Sequence, residues 1–391
     1  MFSQRSTWEL QPNLLSQALQ ARRQAGLPVL DLTLSNPTQA GFQYPPQLQD
    51  ILAGADASAY APEPLGLLSA RQAVAGYYAQ RGQQVRPEEL LLTASTSEAY
   101  AFLFKLLADP GDQVLVPRPS YPLFEFLAGL ESVETRPYPL RYREGWEIDL
   151  DHLAAALTPR TRAIVLVHPN NPTGSLVSPG ERALLEELAL ERGLALIVDE
   201  VFGDYLWEEP QLPSFAGQAR ALTFVLSGLS KVLGLPQLKL GWMAMQGAGA
   251  AEARARLEII ADTYLSVATP VQQALPQLLA LRPAIQRQIR QRVQDNHRWL
   301  QERLERISGV RLLRAAGGWY AVLELAGGDE DALVLGLLRE QGALVHPGYF
   351  FDFAGPGFLV LSLLTPAVEM HQGAEQLVEW LDQEKKILKA Y

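Results

Sequence analysis

The chain has 391 residues, 48% hydrophobic and 19% charged, a composition that fills an ordinary globular interior and a length that suits two domains better than one core. Its 33 basic against 43 acidic residues give a formal charge of -10, which speaks against a surface that neutralises nucleic-acid phosphates or docks on anionic lipid. Without any cysteine, the chain can hold no disulfide, no thiolate metal site and no cysteine nucleophile.

Residues 1–20 carry no apolar run behind a basic stretch, so neither a signal peptide nor an anchor is expected and the default location is the cytoplasm. No later stretch supplies the roughly 18 consecutive apolar residues of a spanning helix. Up to residue 44 the chain reads as a helix followed by a strand-like stretch at 29–34 with no strand partner nearby. Thr93, Ala94, Ser95, Thr96, Ser97 and Glu98 lead into an apolar helix from Ala99. Hydroxyls and free N–H groups at a helix start suit an anion, and a plain capping box has the same appearance. Apolar runs at 114–117, 163–167, 194–198 and 223–226 read as strands buried on both faces. Helical stretches fit between them, so the class is α/β with a mostly parallel sheet. Ser178 and Pro179 mark the start of one such helix, and Gly193 its close.

Chemistry gathers where those runs end. His168, Pro169, Asn170, Asn171, Pro172, Thr173 and Gly174 follow the run at 163–167 and make a rigid turn at a strand's carboxyl end, where open parallel sheets place ligands. An ordinary turn rich in Asn, Pro and Gly is the plainer reading. Asp199 closes the run at 194–198; a carboxylate there needs a cation or a donor, whether a protonated pyridine nitrogen, a helix to cap or a salt bridge. Lys231 follows Ser227, Gly228, Leu229 and Ser230 just past the run at 223–226, where an amine can form a Schiff base beside a phosphate site, although most lysines are solvated charges. Beyond residue 281 the texture changes to an Arg- and Gln-rich helix at 283–306, strands at 319–325 and 358–363, and a helix at 329–340. The expected division is a large domain over 45–281 and a smaller one built from 1–44 and 282–391. No metal ligation is expected.

In this order the residues resemble the aminotransferase class I/II family, the fold-type-I pyridoxal-phosphate enzymes, across nearly the whole chain. The likeness rests on Tyr60 through Gly66 to Arg71, on Pro110, Gly111 and Asp112, and on Pro119, Ser120, Tyr121 and Pro122. It continues through Asn171, Pro172, Thr173 and Gly174, Asp199 and Glu200, and Ser230 and Lys231. The resemblance implies a large domain with a mostly parallel seven-stranded sheet plus a smaller α/β domain, and pyridoxal 5'-phosphate as cofactor. By the same likeness Lys231 is the Schiff-base lysine, Asp199 keeps the pyridine nitrogen protonated, Asn171 binds the phenolic oxygen and Tyr121 stacks on the ring. Ser95, Thr96, Ser227 and Lys239 surround the phosphate, and Tyr60 reaches a phosphate across the interface of a homodimer. The implied activity is ping-pong transfer of an amino group from a neutral or hydrophobic amino acid to a 2-oxo acid. Lyase, decarboxylase or oxidase chemistry on the same cofactor is the alternative, because fold does not fix reaction.

Three positions depart from the family's pattern. Lys239 replaces an arginine, a point charge for a bidentate fork. Phe202 stands where a tyrosine would donate to the phenolic oxygen. Val360, in Phe358, Leu359, Val360, Leu361 and Ser362, occupies the place of the arginine for the substrate carboxylate, and Arg339 is the last arginine of the chain. Either another cation, such as His346 or an N-terminal arginine, takes over, or the substrate lacks that carboxylate.

Overall fold

The computed structural model describes residues 1–391 apart from 56–57, 61, 209–210, 306, 328 and 390–391. In chain order the strands are β1 (Leu30–Asp31), β2 (Leu90–Thr93), β3 (Gln113–Arg118), β4 (Glu134–Tyr142), β5 (Trp146–Ile148), β6 (Thr161–Val167) and β7 (Ala195–Asp199). They continue with β8 (Thr223–Gly228), β9 (Gly241–Gln246), β10 (Val310–Leu312), β11 (Tyr320–Leu325), β12 (Ala343–Leu344), β13 (His346–Pro347) and β14 (Phe358–Ser362).

The apolar runs form the centre of the large sheet, in the order β2-β9-β8-β7-β6-β3-β4-β5. Pairings from β8 through β7, β6 and β3 to β4 are parallel, while β2–β9, β8–β9 and β4–β5 are antiparallel. Successive side chains of a strand face opposite sides, and here both sides are covered. Leu196 and Val198 of β7 enter one apolar core, and Ala195 and Ile197 the other. The sheet has eight strands rather than the seven expected. The extra one, β5, has three half-buried residues and folds back on the end of β4, too short and too mixed in polarity to read as an apolar run.

Helix Pro179–Arg192 begins and ends where its sequence indicates. Ser178 and Glu181 form a reciprocal capping box, and Gly193 at φ 64 closes it, in a left-handed conformation that costs glycine little. The second sheet, β10-β11-β14-β13, is antiparallel. Beside it runs helix Arg282–Leu304, which buries Ile285, Ile289, Val293, Leu300 and Leu304 at helical spacing; Arg306, its expected end, lies outside the described residues. The helix expected at 329–340 is Glu330–Gly336, capped by Asp329, and passes into a wider turn at Leu337–Gln341. The N-terminal strand does find a partner: β1 pairs in parallel with β12, and Thr365 Oγ1 donates to Asp31 O at 3.1 Å. No helix among the described residues is long and apolar enough to cross a membrane.

Candidate active site

Strand register assembles the site. Thr93 of β2 lies opposite Gly241 of β9, Gly241 opposite Gly228 of β8, Leu226 opposite Asp199 of β7, and Asp199 opposite Val167 of β6. The segments that follow these ends therefore open along one edge of the sheet, as open parallel sheets do at their ligand sites. Ser95, Thr96, Asn171, Asp199, Ser227 and Lys231 all lie on them.

Asp199 is 8% exposed. Its Oδ1 accepts the Val201 N–H at 3.1 Å and its Oδ2 the Tyr100 hydroxyl at 3.2 Å. Burial still pushes its pKa up to about 6, against the lowering influence of those hydrogen bonds and of Lys231. Lys231 is half-buried as a residue. Burial pushes its pKa down to about 8, and the charge of Asp199 opposes this. Each group thus senses the other across a gap without closing into an ion pair. The Lys231 Nζ lies 4.9 Å from the Trp319 ring centre and 5.4 Å from that of Phe202. Its backbone is fixed from behind: Tyr205 donates to Lys231 O at 2.7 Å, and Gln286 Nε2 to Val232 O at 2.9 Å.

An amine with a pKa of about 8 is the neutral nucleophile at a lower pH than an ordinary lysine, which titrates near 10.4. In cofactor-free protein, reductive labelling of Lys231 by a small aldehyde, followed by peptide mass spectrometry, should rise with pH and level off just above 8. A yield still rising through about 10 would contradict the buried setting of the amine.

A second group of residues is built for an anion. Ser95 caps helix Thr96–Leu107, accepting from Glu98 N at 3.2 Å, and Glu98 Oε2 accepts from Ala94 N at 2.7 Å. Glu98 thus takes the N–H of Ala94 and not that of Ser95, so Ser95 caps the helix without the reciprocal box, and a helix start of this kind suits an anion. A Cβ on Gly241 would lie 3.1 Å from the Ser95 carbonyl carbon and 3.2 Å from Ser227 O, so these strands converge on one small space. Ser227 Oγ is buried there without a partner. Lys239, at φ 46, leads into the same strand end.

In the turn after β6 the two asparagines differ. Asn170 fixes the loop, donating to Pro119 O at 3.1 Å and Thr173 Oγ1 at 2.8 Å while accepting from Ser120 Oγ at 3.1 Å. The Oδ1 of Asn171 is buried and unpaired. Gly174, at φ 65, admits the segment that precedes Trp319: a Cβ there would sit 2.3 Å from Gly317 O.

Not every expected residue joins this cluster. Tyr121 is 47% exposed, and Tyr60 is 76% exposed beside Glu63, Ser266 and Val267. Val360 is fully buried, in register with Val322 on one side and His346 on the other. Burial holds the His346 pKa down at about 4, against the opposing charge of Asp31. It packs against Phe350 and Phe351 and is neutral at pH 7, so it does not replace the missing guanidinium. The sequence marked Asn170 only as part of its turn, and did not mark Tyr100, Tyr205 or Trp319 as site residues; of these three only Tyr100 carried a signal, as a polar atom on the apolar face of its helix.

The donor set suits pyridoxal phosphate. Asp199 can hold a cationic ring nitrogen, Lys231 can engage an aldehyde, and the helix start with Ser227 and Lys239 can take a phosphate.

Residues 29–377 match the family model for aminotransferase class I and II. A glutamate–pyruvate aminotransferase of Escherichia coli is 30% identical over 348 residues, covering 85% of this chain and 85% of its own. An alanine aminotransferase of Mycobacterium tuberculosis is 30% identical over 372 residues, with 90% and 85% covered. Among solved structures, an alanine aminotransferase from Pyrococcus furiosus shares the fold with a TM-score of 0.90 at 24% identity, over 98% of this chain and 100% of that one. A Thermus thermophilus aspartate aminotransferase variant gives 0.85 at 26% identity, over 97% and 99%.

Proposed function

Given that the chain belongs to the aminotransferase class I and II family and is a pyridoxal-phosphate-dependent amino-acid transaminase, we propose that it moves the amino group of a small neutral or hydrophobic amino acid to a 2-oxo acid in two half-reactions. The observation that carries this reading is the Lys231 amine, which senses the charge of Asp199 and lies against the Phe202 and Trp319 rings, and the activities named for the relatives support it. Bound pyridoxal phosphate supplies an aldehyde and an electron-withdrawing cationic ring. Asp199 holds the ring nitrogen's proton, and its site favours that role because an ionised carboxylate buried without a cation is costly. Asn171 binds the phenolic oxygen and Tyr121 covers the ring face. Ser95, Thr96, Ser227 and Lys239 hold the phosphate. Lys231 Nζ would take the proton from the substrate α-carbon and return it.

The proposal includes a cytoplasmic homodimer, in which the outward-facing Tyr60 serves the neighbouring subunit's phosphate. It also includes a large domain over 45–281 and a smaller one from 1–44 and 282–391; the spans of the three sheets support this division. An anaerobic screen of amino acids against the cofactor spectrum tests the substrate class. Alanine and other neutral amino acids should bleach the visible band and a 2-oxo acid should restore it; bleaching that no 2-oxo acid reverses would favour lyase or oxidase chemistry.

The apolar Val360 position makes a second reading, a substrate without a carboxylate there, specific enough to test. A charge-assisted hydrogen bond contributes about 1.5 to 3 kcal/mol. If neutral donors hold the carboxylate instead, wild type should still prefer an α-amino acid over its decarboxylated amine by at least about tenfold. Val360→Arg should leave that ratio unchanged or lower it, since the new charge enters a fully buried strand position. Equal half-reaction rates for acid and amine in wild type would establish the second reading.

A further inference from the structure

Phe202 brings no hydroxyl to the cofactor's phenolic oxygen, yet another donor stands beside it. Trp319 is fully buried and its indole Nε1 has no hydrogen-bond partner. Its ring meets Phe202 edge-on at 5.2 Å and Tyr205 at 4.9 Å, with the Lys231 Nζ 4.9 Å from its centre. Buried N–H groups nearly always have an acceptor, because leaving one unmade forfeits the full cost of desolvation.

The ring is also held in place. Leu363 N donates to Trp319 O at 2.7 Å, Gly318 N to Tyr205 O at 2.9 Å, Trp207 Nε1 to Gly318 O at 3.1 Å and Ala316 N to Gly174 O at 2.9 Å. The segment 315–319 is thus bound to the Asn171 turn on one side and to the loop after Asp199 on the other. Trp146 and Trp380 also carry unpaired indole nitrogens. Trp146 packs against Tyr142 and Phe353 and lines a small cavity with Asn170, and Trp380 packs against Gly336. Trp319 alone of the three adjoins Lys231.

We propose that Trp319 Nε1 donates a hydrogen bond to the phenolic oxygen of bound pyridoxal phosphate, beside the carbon that Lys231 engages, and so replaces the hydroxyl that Phe202 lacks. This rests on the proposed role of Lys231. Its chemical effect has a definite sign. A donor draws negative charge off the oxygen, so the neighbouring nitrogen holds its proton less tightly and the chromophore deprotonates at lower pH.

The test uses the holoenzyme without substrate, titrated by its visible absorbance. Trp319→Phe keeps an aromatic face toward Lys231 and removes only the donor. It should raise the chromophore pKa by about half a unit or more, with cofactor content and circular dichroism unchanged. Adding Phe202→Tyr to that variant should bring the pKa back down by more than the same change does in wild type, because the hydroxyl then fills an empty donor position. If Trp319→Phe does not fold, Phe202→Tyr in wild type decides alone: a shift below about a quarter of a unit supports the proposal and a larger fall overturns it. An unmoved or lowered pKa in Trp319→Phe also overturns it. If that comes with a raised KM for the amino acid and unchanged kcat, the indole binds the substrate carboxylate instead. Failure of the underlying reading looks different, because wild type would then show no pH-dependent visible band at all.

Discussion

Replacing Lys231 by alanine is expected to abolish the pH-dependent visible band of the loaded enzyme and to lower turnover by at least about four powers of ten, the upper end of what a positioned acid–base group contributes. Two functions are lost together, the covalent hold on the cofactor and the carrier of the α-carbon proton. The anion cradle of Ser95, Thr96 and Ser227 does not depend on this side chain, so the cofactor should still bind, with the spectrum of a free aldehyde. Absorbance after dialysis against the cofactor and a single-turnover assay measure both effects. A persisting pH-dependent band would mean that another amine does the work. Lys239, two residues before Gly241 at the same strand end, would be the first to examine.

Asp199→Asn should act in opposite directions on the empty and the loaded protein. In the empty protein the Asp199 pKa is about 6, above the roughly 3.9 of an unfolded chain. Between those values the folded state binds the extra proton, so folding stability falls as pH rises through this window and stays lower above it. Asparagine removes that penalty, up to about 3 kcal/mol, and the cofactor-free variant should melt higher than wild type at pH 7.5 but not at pH 4. Once loaded, the same carboxylate faces a cation, and deleting one partner of a buried pair costs about 3 to 5 kcal/mol. kcat/KM should therefore drop by roughly two to four powers of ten. A loaded variant with near-normal activity would remove Asp199 from the ring nitrogen.

What the sequence made legible was local. Asp199 stood out because a carboxylate closing a buried apolar run is costly to place without a partner, and Asn171 and Lys231 because their short motifs follow such runs and resemble the family's. The cap and close of helix Pro179–Arg192 were readable for the same local reason. What stayed hidden depends on packing between distant segments. Tyr100 meets Asp199 across 99 positions of chain, and Tyr205 meets Lys231 O across 26, so neither contact leaves a spacing pattern. The neutrality of His346 follows from the Phe350 and Phe351 rings around it, and strand β5 from its hairpin with β4. The importance of Trp319 appears only when its indole nitrogen is followed through the fold and found to meet nothing.

The two hydrogen bonds behind Lys231, from Tyr205 to its own carbonyl and from Gln286 to that of Val232, make the lysine's Cα a fixed pivot. Whatever distance the amine must travel between the substrate carbon and the cofactor carbon is then covered by rotation of its four-carbon stem alone. Such rotations take picoseconds to nanoseconds at exposed positions, whereas segment motions take microseconds or longer. An enzyme anchored in this way need not move its backbone while the proton is carried.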